Sequence, residues 1–179
     1  MIEIERKFRL SPKKMVDIQH ILEKESRKLT PMHQVDQVFL YNISSFKDFE
    51  QGMPVMRLRT ANGNTQLTYK RAINNAGDCL EHELVVESAE TMQRILEEMG
   101  YRHVTLVDKT RIEIKKDRLT LALDKVAGLG DFLELEILAE KADSGDAEKT
   151  ILQKAAEFGL TADDIERKKY DEMLSTLTS

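Results

Sequence analysis

The chain has 179 residues, 41% hydrophobic and 33% charged, with a net charge of −5. That supports one core of ordinary domain size. It offers no run near the roughly 20 apolar residues of a membrane-spanning helix, and the acidic balance disfavours a nucleic-acid binder. The single Cys79 excludes an internal disulfide, the four histidines lack metal-ligand spacing, and no leader-like segment opens the chain, so a cytoplasmic single domain over 1–179 is expected.

Residues 1–10 read as a strand, with Glu3, Glu5, Lys7 and Arg9 on one face and Ile2, Ile4, Phe8 and Leu10 on the other. Ser11-Pro12 is a cap-plus-first-turn signal, and Met15, Ile18, Ile21 and Leu22 follow at helical spacing. Residues 34–42 return to a strand and 43–52 to a loop. Strands at 53–61 and 65–72 flank Asn62-Gly63, a hairpin signal because both central positions need positive φ. A turn at Asn75 to Asp78 leads into a strand over 79–87. Ser88 caps a helix over 89–99 that stops at Gly100. Strands at 103–115 and 118–126 join through Lys116-Asp117, and Gly128-Leu129-Gly130 leads into a last strand, 131–139. Two helices, 146–158 and 162–177, are predicted to close the chain. Short links between strands demand antiparallel pairing, so the class is α+β.

The strand faces are sorted by charge. One face carries the acids Glu3, Glu5, Glu81, Glu83, Asp124, Glu134 and Glu136 and the bases Lys7, Arg57, Arg59, Lys70, Lys109 and Arg111. The other is largely apolar: Met56 and Leu58, Leu84 and Val86, Ile112 and Ile114, Leu121 and Leu123, Leu133 and Leu135. An open sheet with one wet face is the plain reading. Two features favour a closed barrel with the ionic face inside. These positions hold full charges where a wetted face mixes in Ser, Thr and Gln, and the signs are grouped by strand. Closure removes the sheet edges. Buried charges must be paired or ligand-bound, and the occupant that suits both signs is a polyphosphate with divalent cations.

With these residues in hand, the chain resembles the CYTH superfamily, the triphosphate tunnel metalloenzymes. The match begins at Glu3-x-Glu5-x-Lys7. It continues through Arg57-Leu58-Arg59, Lys70, Glu81-His82-Glu83, Lys109-Thr110-Arg111 and Asp124, and then Gly128-Leu129-Gly130-Asp131-Phe132-Leu133-Glu134-Leu135-Glu136. Lys168-Lys169-Tyr170 resembles the family's basic-x-Tyr element. The length and the Gly-Leu-Gly-Asp-Phe-Leu-Glu run are most similar to bacterial class IV adenylyl cyclases. One departure is the second strand, where Val38-Phe39-Leu40-Tyr41-Asn42 lacks the aspartate that members often place near its end.

The resemblance implies a single CYTH-like domain: a closed eight-stranded antiparallel barrel with a charged interior and helices packed outside. It implies Mg²⁺ or Mn²⁺ held by Glu3, Glu5, Glu134 and Glu136, with Glu81, Glu83 and Asp124 as further candidate ligands. Lys7, Arg57, Arg59, Lys70, Lys109 and Arg111 would bind the triphosphate, with Lys168 closing over the mouth. Glu5, Lys7, Lys109 and Arg111 would carry catalysis. One reading is a cyclase making cyclic AMP and pyrophosphate from ATP. The alternative is a hydrolase of inorganic triphosphate, thiamine triphosphate or a nucleoside triphosphate, and a third is a binding module without turnover. The last two helices or an outer sheet face could support a homodimer.

Overall fold

The computed structural model describes residues 2–25, 29–50, 52–72, 79–140 and 143–177. Among these residues nine strands and four α-helices follow one another as β1 (Ile2–Leu10), α1 (Pro12–Glu25), β2 (Met32–Tyr41), β3 (Pro54–Ala61), β4 (Asn64–Ala72), β5 (Cys79–Val86), α2 (Ala89–Glu98), β6 (Tyr101–Lys116), β7 (Leu119–Val126), β8 (Gly130–Ala139), α3 (Ser144–Glu157), β9 (Ile165–Glu166) and α4 (Tyr170–Leu177). The turn expected at Asn75 to Asp78 lies outside the described residues.

Local chemistry sets most boundaries. Asn62 and Gly63 sit at φ 50° and 77°, the twisted two-residue turn that lets β3 and β4 pair directly. The Ser88 side chain accepts from the Thr91 N–H at 3.1 Å and starts α2, and Ser11 accepts from Lys14 N–H at 3.2 Å at the head of α1. Gly100 ends α2 at φ 93°, where an added Cβ would lie 3.2 Å from the Asn42 side-chain oxygen.

All pairings are antiparallel, in the order β5-β4-β3-β2-β6-β7-β8-β1. β1 closes the circle by pairing Glu3 with Cys79 of β5. The result is the expected eight-stranded barrel. β9 takes the rest of that edge of β1, opposite Lys7 and Phe8. This corrects the expected continuous helix over 162–177. A 3₁₀ turn at Ala162–Asp164, the two-residue β9 and α4 stand there instead.

The apolar face points outward under helices. Ile4, Phe8, Leu121, Leu123, Leu133 and Leu135 pack beneath α1 and α3 through Ile18, Leu22, Ile151 and Ala155. Leu58, Leu67 and Phe39 pack beneath α2 through Leu96. Leu84, expected to be covered, is instead 53% exposed. No helix among the described residues is long and apolar enough to cross a membrane.

A third apolar cluster lies inside the barrel. Val38, Val107, Val126 and Phe132 share the inward face with Asp36, Lys109, Asp124 and Glu134, two residues away on each strand. Tyr170 and Met173 of α4 pack onto them, the Tyr170 ring edge-on to Phe132 at 5.0 Å. The final helix therefore plugs part of the lumen.

Candidate active site

The rest of the lumen is a cavity of about 850 Å³ lined mostly by ionic side chains. β6 and β7 build its most buried part. Asp124 is fully buried and accepts from Arg111 Nε (2.7 Å) and Nη2 (2.5 Å), from Lys109 Nζ (3.1 Å) and from the Tyr170 hydroxyl (3.1 Å). The Lys7 and Lys109 ammonium groups lie 4.5 and 5.1 Å from the Tyr170 ring centroid. Arg111 also donates to Glu134. Burial alone would raise the Glu134 carboxyl, but Arg111, Lys109 and Lys7 outweigh it and hold it well below the usual range. Lys109 is pushed below its ordinary value by burial and by Arg111 beside it.

On the neighbouring strands β2 and β3, Arg59 grips Asp36 through two bonds of 2.7 and 2.8 Å. Burial opposes ionisation of Asp36, yet the Arg59 hydrogen bonds and the Arg57 and Lys109 charges bring its carboxyl down to about 2. Arg57 contacts Thr68, Glu81 and Glu83 through one nitrogen, while its buried Nε has no hydrogen-bond partner among the described residues. Lys70 bridges Glu81 at 2.8 Å and Glu3 at 3.4 Å.

The carboxylates gather where cations are fewest. Glu3, Glu5 and Glu136 stand above the ordinary carboxylate range, each first because of burial. Glu134 and Glu3 then add to the rise at Glu5, Glu81 adds at Glu3 against Lys70, and Glu3 and Glu5 push Glu136 up to about 7. A hydrogen bond between the Glu3 and Glu81 side chains raises the Glu3 carboxyl and lowers that of Glu81. Buried carboxylates that repel one another, their charge only partly offset by Lys70 and Lys7, suit a hard divalent cation. The Cys79 thiol, near Glu3 and Glu81, is pushed up to about 12 by burial and stays protonated, a poor ligand for such an ion.

A pH effect follows. A carboxyl whose folded pKa is raised from 4.5 to about 7 favours the folded state while protonated, and that advantage is lost as pH rises through this window. Calorimetry in chelator should therefore show the melting temperature falling between about pH 5 and 7.5. Glu136→Gln should flatten that fall, and Mg²⁺ should reverse it at the upper end. A slope unchanged in Glu136→Gln would remove Glu136 as its source.

The barrel brings together Glu3, Glu5, Lys7, Arg57, Arg59, Lys70, Glu81, Lys109, Arg111, Glu134 and Glu136 around one cavity. Glu83 sits half-exposed at the rim, where Gln66, Thr68 and Arg57 donate to it. Asp124, on the inward face, is fully buried and is not among the residues lining the cavity; Lys109, Arg111 and Tyr170 engage its two oxygens, the geometry of an anchor for the two cations. Lys168 is exposed and lies outside the lining, whereas its neighbours Arg167 and Lys169 line the cavity. Asp36, Gln34 and Tyr170 are lumen residues that the charge pattern missed. Asp36 has no acidic i,i+2 partner in Gln34-Val35-Asp36-Gln37-Val38, so a search for like-charged pairs passes over it.

A closed antiparallel barrel whose lumen is lined by sorted charges is the triphosphate-tunnel fold. The chain belongs to the CYTH family, whose domain model matches residues 1–170. A curated Methanocaldococcus jannaschii protein named "Putative adenylate cyclase" is 30% identical over 97% of this chain and 98% of its own. A Vibrio parahaemolyticus structure described as a "putative adenylate cyclase" superposes with a TM-score of 0.79 at 21% identity, covering 98% of both chains. A Hippeastrum structure, "Putative adenylyl cyclase HpAC1 from Hippeastrum reveals a dominant triphophatase activity", reaches a TM-score of 0.64 at 15% identity over 99% of this chain and 95% of its own. The family comprises divalent-metal-dependent enzymes of triphosphates.

Proposed function

We propose that the protein is an adenylate cyclase of the CYTH family that converts ATP to cyclic AMP and pyrophosphate with Mg²⁺ or Mn²⁺. The observation that carries a two-signed ligand is the pairing of a buried, unpartnered Arg57 Nε with crowded carboxylates in the same cavity. The first awaits an anion and the second a cation. The name of the Methanocaldococcus jannaschii relative, aligned over nearly the whole of both chains, supports the choice of reaction.

Glu5 and Glu136, with Glu3 and Glu81, would hold the divalent cation. When bound, that cation supplies Lewis-acid activation and neutralises phosphate charge. Lys7, Arg57, Arg59, Lys70, Lys109 and Arg111 fix the triphosphate and stabilise charge on the departing pyrophosphate. Their own anchors, Asp36, Asp124 and Glu134, hold them in place before substrate arrives. The ribose 3′ oxygen bonds to the α-phosphorus, the bond from that phosphorus to the bridging oxygen breaks, and the hydroxyl proton leaves to water. Plug residues Val38, Val107 and Phe132 exclude water from one side of the lumen.

A triphosphatase is the second reading, favoured by the activity in the Hippeastrum protein's description. Product analysis decides between the two. Purified protein is incubated with Mg²⁺ or Mn²⁺ and, separately, ATP, inorganic triphosphate and thiamine triphosphate. Cyclic AMP with pyrophosphate supports the cyclase, and orthophosphate without cyclic nucleotide replaces it with the hydrolase. Binding is checked independently of turnover. A methylene-bridged ATP analogue at about a hundred times its Kd, with Mg²⁺, should raise the melting temperature by about 5–10 °C. No shift with any triphosphate analogue would leave the cavity without its ligand. A homodimer, as well as cytoplasmic residence, is part of this proposal. Sedimentation of the purified protein tests the dimer.

A further inference from the structure

Gln34 is 3% exposed and lines the ionic cavity, yet its side-chain carbonyl Oε1 has no hydrogen-bond partner among the described residues. Among the described residues its amide nitrogen has only the Met32 sulfur, at 4.0 Å. Buried polar atoms are paired in the great majority of cases, and an exception in a cavity calls for a ligand. Gln34 lies on β2 two residues from Asp36, about 7 Å along the strand from the Arg59 anchor. Its register partners are Ala61 of β3 and Lys109 of β6.

The chemistry of the vacant atom restricts what can fill it. An amide carbonyl only accepts hydrogen bonds. The phosphate oxygens of an ionised triphosphate also only accept, so they satisfy the Gln34 N–H groups and leave Oε1 unpaired. A partner for Oε1 is an O–H or N–H donor or a hard cation, and the carboxylates proposed for the cation stand on β1, β5 and β8, none of which pairs with β2. The side of the lumen holding Val38, Val107, Val126 and Phe132 is occupied by Tyr170 and Met173, so an organic substituent extends the other way. There Met32, Ala61 and Gln66, which are small, apolar or neutral, stand beside Gln34 on β2, β3 and β4, while the charged Lys109, Arg111, Glu113 and Lys115 line the β6 side.

We infer that Gln34 is a specificity residue that accepts a hydrogen bond from a hydroxyl or amino group on the nucleoside part of the substrate, separating a nucleoside triphosphate from inorganic triphosphate. This rests on the triphosphate reading above and deepens it by naming the residue that reads the nucleoside part of the substrate. A site built to pair a substrate donor discriminates strongly against an analogue that lacks it.

The test compares binding of the methylene-bridged analogues of ATP and of inorganic triphosphate, by calorimetry with Mg²⁺, in the native protein and in Gln34→Met. Gln34→Met keeps the length and removes both polar atoms. Affinity for the ATP analogue should fall about tenfold or more, with a much smaller change for the inorganic analogue. Gln34→Glu is the second variant. It keeps an acceptor and adds a charge that repels both analogues alike, so the ratio between them should survive even if both weaken. Equal losses on both analogues in Gln34→Met would place the amide on the phosphates or the cation and overturn the inference. No loss on either would do the same. If the native protein binds the inorganic analogue and not the nucleotide, the inference falls while the tunnel reading stands. If it binds neither, the tunnel reading itself falls.

Discussion

Glu5→Gln is expected to lower metal-dependent turnover by about a hundredfold or more, since a lost partner outside the ligand shell already costs 10–100-fold. The same variant should melt no lower than the native protein in chelator. The Glu5 carboxyl stands above its ordinary range because burial and the neighbouring Glu134 and Glu3 disfavour its charge. Its sign is that of a destabilising ion at neutral pH: the folded state binds the proton more tightly than the unfolded chain, and folding loses by giving it up. The neutral amide keeps the shape and removes the repulsion. Activity and metal-free melting temperature are the paired readouts. Turnover near the native rate would exclude Glu5 from the ligand shell. Loss of activity with a large drop in melting temperature would make Glu5 a structural residue.

Asp124→Ala should be the most destabilising single change in the lumen. It strips both Lys109 and Arg111 of the carboxylate that each bonds, and removes the acceptor of the Tyr170 hydroxyl that ties α4 to the barrel. Removing one member of a buried ionic network leaves the opposite charges unpaired, at a cost of about 3–5 kcal/mol. Urea unfolding should show that loss in the midpoint. Asp124→Asn keeps acceptor capacity on one atom and should fall between the two. An alanine variant within 1 kcal/mol of native stability would show that water or Glu134 replaces the carboxylate with ease.

Much of the barrel was legible in the sequence because its signals are local. Alternation of Glu3, Glu5 and Lys7 with Ile4 and Phe8 fixes which face is inward, Asn62-Gly63 fixes one hairpin register, and Ser88 starts α2. The failures have non-local causes. Ile165 and Glu166 form a strand only because an edge of β1 is vacant beside Lys7 and Phe8. Nothing in the local spacing of Asp163 to Lys169 marks that break. The same break turns Lys169 toward the cavity and Lys168 away from it. The inner plug was hidden for another reason. Val38, Val107 and Val126 look like ordinary strand residues, and only three-dimensional register shows that they share the inner face with Asp36, Lys109 and Asp124. In the site, like-charged pairs were visible, but Asp36 beside Gln34 was not.

The position of β1 bears on how the chain reaches this state. Its partners are β8, β5 and β9, so the first strand made pairs with residues 130–139 and 165–166, near the end of the chain. At about 5–20 residues per second on the ribosome, β1 waits several seconds for its main partner. Contacts of such long sequence separation close slowly. The same strand carries Glu3, Glu5 and Lys7, so β2 to β5 can meander into a sheet, with β6 and β7 added beside β2, well before any cation or phosphate could find its ligands. Tyr170 docks later still, from the last helix. β1 and α4 are therefore joined at the lumen, and a nascent chain acquires its ion-binding interior only once β8 and then α4 have been made.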